Sequence, residues 1–175
     1  MEAFPDARPL TLNRLQQQQL NALPAGVRRL STGYTFNLTI DSLRLPSSLR
    51  SLRFGAQFDQ RLDLVVLPSD LEEIYLSDHW NRSITQLPKL HEGLKKLIFG
   101  RSFNQPMTGL HLPTSLVLLE FGASFCQPVE EQLQLPPNLE SLRFGAYFNQ
   151  PIERLPLPAS LTQLSSRIFF HLSVV

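Results

Sequence analysis

Residues 94–107 read LKKLIFGRSFNQPM, and residues 139–152 read LESLRFGAYFNQPI. Both run from a leucine through two polar residues to a second leucine, then Phe-Gly, then Phe-Asn-Gln-Pro and an apolar residue. Working outward from them, the leucine (valine in the first turn) that comes a few residues after each Leu-Pro or Pro-Pro forms a column: Val27, Leu49, Leu71, Leu94, Leu116, Leu139 and Leu161. The steps are 22, 22, 23, 22, 23 and 22 residues. Such a fixed period is the signature of a repeat architecture. It gives six full turns and a closing half turn.

With that column as position 1, the other columns follow. Position 4 holds Leu30, Leu52, Ile74, Leu97, Leu119, Leu142 and Leu164, and position 6 holds Thr32, Phe54, Leu76, Phe99, Phe121, Phe144 and Ser166. Their alternation with polar neighbours is the period-two pattern of a short half-buried strand. Position 7 is glycine except for Ser77, which suits a backbone that turns sharply where a Cβ would obstruct. Position 10 is Phe36, Phe58, Trp80, Phe103, Phe125 and Phe148, a ladder of rings. Position 11 is Asn or Asp except for Cys126, suited to bonding backbone groups that no strand satisfies. Position 14 is aliphatic or Met throughout. No single turn buries its apolar face; stacking does.

These residues resemble the FNIP repeat, a relative of the leucine-rich repeat of about 22 residues with a Phe-Asn-x-Pro core. The resemblance spans Leu20 to Leu164. It implies a leucine-rich-repeat-like solenoid: a parallel ribbon with one short strand per turn, irregular on the other face, with little helix. It also implies a protein-interaction role. The third turn is the least typical, with His79-Trp80-Asn81-Arg82-Ser83 in place of Phe-Asn-Gln-Pro. Drift explains it better than function does.

Composition agrees. Fourteen prolines exclude long helices over most of the chain, since each interior proline removes a donor and clashes with the preceding turn. A net charge of +1 supplies no global field for nucleic acid or anionic lipid. The start has neither the basic region nor the apolar run of a signal peptide, no stretch is long enough to span a bilayer, and the lone Cys126 makes no internal disulfide. A cytoplasmic location is the expectation. Residues 1–19 read as an N-terminal tail or cap, residues 20–167 as the solenoid, and residues 168–175 as an apolar C-terminal end. Leu10, Leu12, Leu15 and Leu20 leave two readings open, a short capping helix or a tail followed by half a repeat.

Chemistry is sparse. The four histidines, His79, His91, His111 and His171, fall at unrelated positions and match no zinc pattern, and the glycines form no phosphate loop. Cys126 in its ladder position reads as a buried structural thiol. Two glycosylation sequons, at Asn37 and Asn81, are position-11 residues that the ladder explains. No enzyme activity, cofactor, metal or small-molecule substrate is expected.

Positions 2, 3, 5 and 8 should face outward from the ribbon. They form charge bands: Arg28, Arg29, Arg50 and Arg53 with Tyr34; Glu72, Glu73 and Asp78 with Tyr75; Lys95, Lys96 and Arg101 with Ile98; then Val117, Leu118 and Glu120, followed by Glu140 and Arg143. Any one charge could serve solubility alone. The interleaved Tyr34, Tyr75, Ile98, Val117 and Leu118 are the kinds of residue that anchor interfaces. The alternating sign argues against nucleic acid and for a protein partner. The alternatives are an inert segment of a larger solenoid and, behind it, a carbohydrate-binding solenoid.

Overall fold

The computed structural model describes residues 10–12 and 23–166. It holds eight short strands in one parallel sheet, in chain order: β1 (Leu10–Leu12), β2 (Arg29–Thr32), β3 (Ser51–Arg53), β4 (Glu73–Tyr75), β5 (Lys96–Ile98), β6 (Leu118–Glu120), β7 (Ser141–Arg143) and β8 (Gln163–Ser165). The architecture is a parallel-strand solenoid with almost no helix. Among the described residues the one helical segment is a 3₁₀ turn at Ile84–Gln86, in the irregular third repeat, capped by Ser83.

Register follows the leucine column. Leu30 pairs with Leu52, Leu52 with Ile74, Ile74 with Leu97, Leu97 with Leu119, Leu119 with Leu142, and Leu142 with Leu164. A one-residue slip would turn every one of these side chains to solvent, so the buried column fixes the pairing. The proline before each strand sets the approach. Except at Leu94, whose amide donates to the His91 carbonyl, the position-1 amide donates to a proline carbonyl three residues back, as from Leu49 to Pro46 (3.0 Å) and Leu116 to Pro113 (3.1 Å).

One strand lies outside the sequence expectation. Leu10–Leu12 pairs with β2 as a strand, so these residues do not begin a capping helix, and among the described residues the ribbon has eight strands rather than seven. The Gln16–Gln19 run and the apolar end at residues 168–175 lie outside the described residues.

Two columns of rings fill the core. Down position 10 the centroids of Trp80 and Phe103 stand 5.8 Å apart, those of Phe103 and Phe125 5.9 Å, and those of Phe125 and Phe148 6.0 Å. In the four turns with Phe at position 6, that ring stacks on the position-10 ring, as in Phe99–Phe103 at 4.1 Å and Phe144–Phe148 at 3.9 Å.

The glycine column has a different cause from the one its sequence suggests. Among the described residues Gly109 alone has positive φ, so position 7 does not need glycine for its turn. The need is spatial. A Cβ on Gly55 would lie 2.1 Å from the Gly33 carbonyl oxygen, and one on Gly122 the same distance from that of Gly100. Successive turns touch backbone to backbone at this column. Turn three, which has Ser77 here, directs the hydroxyl to the Phe58 carbonyl.

Positions 11 and 12 make a polar ladder between turns. The Asn37 side-chain oxygen accepts from the Asp59 amide (2.8 Å) and the Gln60 side chain (2.9 Å). Asn81 does the same for Asn104 and Gln105, and Asn104 for Cys126 and Gln127. Between turns two and three the pair changes type: Arg82 donates to the Asp59 carboxylate from Nε (3.0 Å) and Nη2 (3.3 Å). The atypical third turn is therefore complementary to the turn before it. Cys126 is half-buried rather than buried, and its thiol donates to Asn149 at 2.9 Å.

Candidate binding face

A three-residue strand buries its central side chain and turns its flanks outward, and β3 to β6 follow that rule. None of the fifteen outward candidates is buried. Arg28, Arg29, Tyr34, Arg53 and Lys95 are exposed; Arg50, Glu72, Glu73, Tyr75, Lys96, Ile98, Val117, Leu118, Glu120 and Arg143 are partly covered by their neighbours. Tyr34 is 68% exposed.

Parallel register brings same-column residues of adjacent turns side by side, and this decides the electrostatics. Glu72 meets Lys95 at 3.0 Å and Glu73 meets Lys96 at 2.6 Å, so the acidic band of turn three is neutralised by the basic band of turn four. Glu120 meets Arg143 at 3.3 Å, and Arg50 reaches Asp70 at 2.8 Å. Half-exposed pairs of this kind contribute about 0.2–1 kcal/mol each. Burial is the largest single influence on Glu73 and opposes its charge, but the hydrogen bond and charge of Lys96, with hydrogen bonds from Ser51 and Tyr75, together outweigh it and hold the carboxyl below its ordinary value. Burial together with the nearby Glu73 charge raises the Tyr75 phenol. The expected alternation of bands is thus largely cancelled within the ribbon, and what it presents outward differs from a residue-by-residue reading.

Beside the C-terminal ends of β3 to β6 runs a shallow groove of about 570 Å³. Its floor is the close-packed small-residue column Gly55, Ala56, Gly100, Gly122 and Ala123, and its walls include Tyr34, Arg53, Tyr75, Asp78, Ile98, Arg101 and Glu120. The Arg53 guanidinium lies 5.4 Å from the centre of the Tyr75 ring, within cation–π reach. Of the fifteen candidates, Tyr34, Arg53, Tyr75, Ile98 and Glu120 line the groove and the other ten do not.

Outward groups that the position-2, 3, 5 and 8 reading missed include Tyr147, 63% exposed, and Leu64 and Val66, 54% and 81% exposed. Leu64 and Val66 form an apolar ridge on the irregular side of turn two, between two surface depressions of about 610 Å³ each. Turn one places Ser42 and Arg44, and turn four Gly109 and His111, where turn two places these aliphatics. That contrast is readable in the aligned turns. Among the described residues no three of His, Cys, Asp and Glu converge on a metal-sized site. No helix in them is long and apolar enough to cross a membrane.

The FNIP Repeat family model matches four times, at residues 16–57, 39–79, 80–124 and 125–165. The chain belongs to the FNIP repeat family. Among solved structures it is similar to CroV588, described as a novel circular LRR protein, with 36% identity and a TM-score of 0.62. The match covers 81% of this FNIP-repeat chain and 24% of CroV588, so the chain spans about a quarter of that protein's length. No curated protein matches it.

Proposed function

We propose that this FNIP-repeat solenoid is a non-catalytic protein-binding module that takes its partner on the strand ribbon, across the groove beside β3 to β6. The observation that carries the reading is the lining of that groove. Residues from separate turns place two arginines, two tyrosines and an isoleucine around one depression. Amphipathic aromatics and arginine at the centre of a patch are the usual anchors of an interface. The repeat family and the leucine-rich-repeat-like fold are consistent with an interaction scaffold.

The test is affinity capture from lysate with three baits: the intact chain, a Tyr75→Ala/Ile98→Arg variant, and a Leu64→Ser/Val66→Ser variant. The expected result is a partner held by the first and third and lost by the second. A partner lost only with Leu64 and Val66 would move the binding face to the irregular side and refute the proposal.

The 24% coverage of a circular protein favours a second reading. In it the chain is one arc of a larger solenoid and contributes turns rather than a binding site. Sedimentation separates the two. A monomer that still binds a partner supports the module; end-to-end association without a partner supports the arc.

A further inference from the structure

We propose that the ribbon takes a second copy of this chain, docked face to face with its turns running the opposite way, about a two-fold axis between β4 and β5. This rests on the ribbon reading above and names the partner.

The charges that line the groove balance, but they are ordered. Arg53, Asp78, Arg101 and Glu120 come from turns two, three, four and five, so the sign alternates from turn to turn. A partner of uniform charge is attracted by one turn and repelled by the next. A reversed copy of the same series is complementary throughout, because plus–minus–plus–minus read backwards is minus–plus–minus–plus. A two-fold axis parallel to the strands makes that reversal, and it makes the contact isologous. Placed midway along the eight strands, it sets β4 on β5, β3 on β6 and β2 on β7 of the other copy, each column facing itself.

Arg53 and Glu120 lie in one column, joined in register through Tyr75 and Ile98. Each stands one and a half strand spacings from the axis, roughly 7 Å, so Arg53 of each copy meets Glu120 of the other. Glu120 is paired with Arg143 at 3.3 Å, and its carboxylate keeps acceptor sites for a second cation. Asp78 meets Arg101 at position 8. Both are exposed, and among the described residues neither is in an ion pair. Tyr75 meets Ile98 beside the axis, which puts the apolar side chains at the centre of the patch and the charges around them.

The same rule holds on the ribbon outside the groove. Exposed Arg28 of turn one comes onto exposed Glu140 of turn six. The Glu72–Lys95 and Glu73–Lys96 pairs come onto their own reversed copies. At positions 2, 3, 5 and 8 no charge meets its like. Docking with both solenoids running the same way does the reverse. Turn two with its arginines, turn three with its carboxylates and turn four with its lysines would each meet themselves, and like-charge contact suppresses that arrangement.

Sedimentation velocity of the full chain over a concentration series, at low and moderate salt, is expected to show a reversible monomer–dimer equilibrium that salt weakens. Arg53→Glu and Glu120→Arg each set like charges at both symmetry-related contacts, so each variant alone should dimerise about tenfold or more weakly. An equimolar mixture of the two variants should recover the dimer, since both contacts then pair opposite charges. Within one chain these residues stand three strand spacings apart, about 14 Å, so recovery on mixing reports contact between copies. Asp78→Lys and Arg101→Glu form a second such set, on exposed side chains outside any ion pair, and melting curves check the fold of all four. A chain that stays monomeric at every concentration, association indifferent to the substitutions in folded variants, or mixtures no stronger than their components would overturn the assignment. Association end to end would give the second of these results. A monomer that captures another protein through Tyr75 and Ile98 would overturn the second copy alone and leave the ribbon reading standing.

Discussion

Gly100→Ala is expected to be among the most damaging single-methyl additions this chain can receive. The added Cβ would stand 1.8 Å from the Ser77 carbonyl oxygen, 2.3 Å from its carbon and 2.7 Å from the Asp78 nitrogen. All three are backbone atoms, so relief requires parting two turns by more than an ångström rather than rotating a side chain. That would stretch inter-turn bonds such as the Ser102 amide to the Asp78 carbonyl, 2.8 Å in length. Overpacking costs about 1–3 kcal/mol, and each buried backbone bond left unmade adds about 1–3 kcal/mol. The expected loss is about 3 kcal/mol or more. Two other glycines separate space from conformation. Gly26 has no atom near the added Cβ and no positive φ. Alanine there should be neutral or stabilise by up to about 1 kcal/mol through the unfolded chain. Gly109 also has open space but φ of +82°, so alanine there should cost about 1–2 kcal/mol. Equilibrium urea unfolding, followed by the fluorescence of the buried Trp80, measures all three. If Gly100→Ala proved as mild as Gly109→Ala, backbone contact between turns would not be the reason for the glycine column.

Phe125 touches rings in its own turn and in both neighbouring turns, so Phe125→Ala should cost about 3–5 kcal/mol in the same assay. Asp59→Asn and Arg82→Gln should each destabilise alone, while the double variant recreates the amide pair of the other turns and recovers most of the loss, visible as a coupling of about 1 kcal/mol in a double-mutant cycle. Glu73 has a lowered folded-state pKa. Its stabilisation is therefore present above the unfolded value of roughly 4.3 and fades as pH falls through the lower folded one. Glu73→Gln should lose less stability than the unsubstituted chain between about pH 5 and 3, by at most about 1 kcal/mol, in thermal melts across pH.

The columns made the fold legible because each repeats a physical need in every turn. Leu97 and Leu142 needed no neighbour beyond their own turn to declare a buried strand centre. β1 was not legible: Leu10–Leu12 has alternating leucines but no Phe-Gly or Phe-Asn-Gln-Pro to mark the turn, and three residues are too few to separate strand from helix by period. The outward residues were legible as a face, since positions 3 and 5 flank the buried position 4 in the pleat. Their electrostatics were not, because charges were read along each turn while the sheet pairs them across turns. Glu72 and Lys95 share position 2, and Glu73 and Lys96 share position 3. Reading down the columns would have paired them. The Leu64–Val66 ridge escaped because attention to the strands left the return path of each turn unread.

The polar ladder also decides which parts of this chain could be exchanged. A turn receives its predecessor through position 12 and offers position 11 to its successor, so each boundary is a joint with two halves. Gln60 and Gln105 are matched to an asparagine below, and Asn81 and Asn104 to a glutamine above. Asp59 and Arg82 fit only each other. Turns two and three therefore behave as one double-length block with ordinary connectors at both outer ends. Copying that block intact beside an asparagine-bearing turn keeps its joints, whereas cutting between its halves sets a carboxylate against an amide and leaves a guanidinium without its acid.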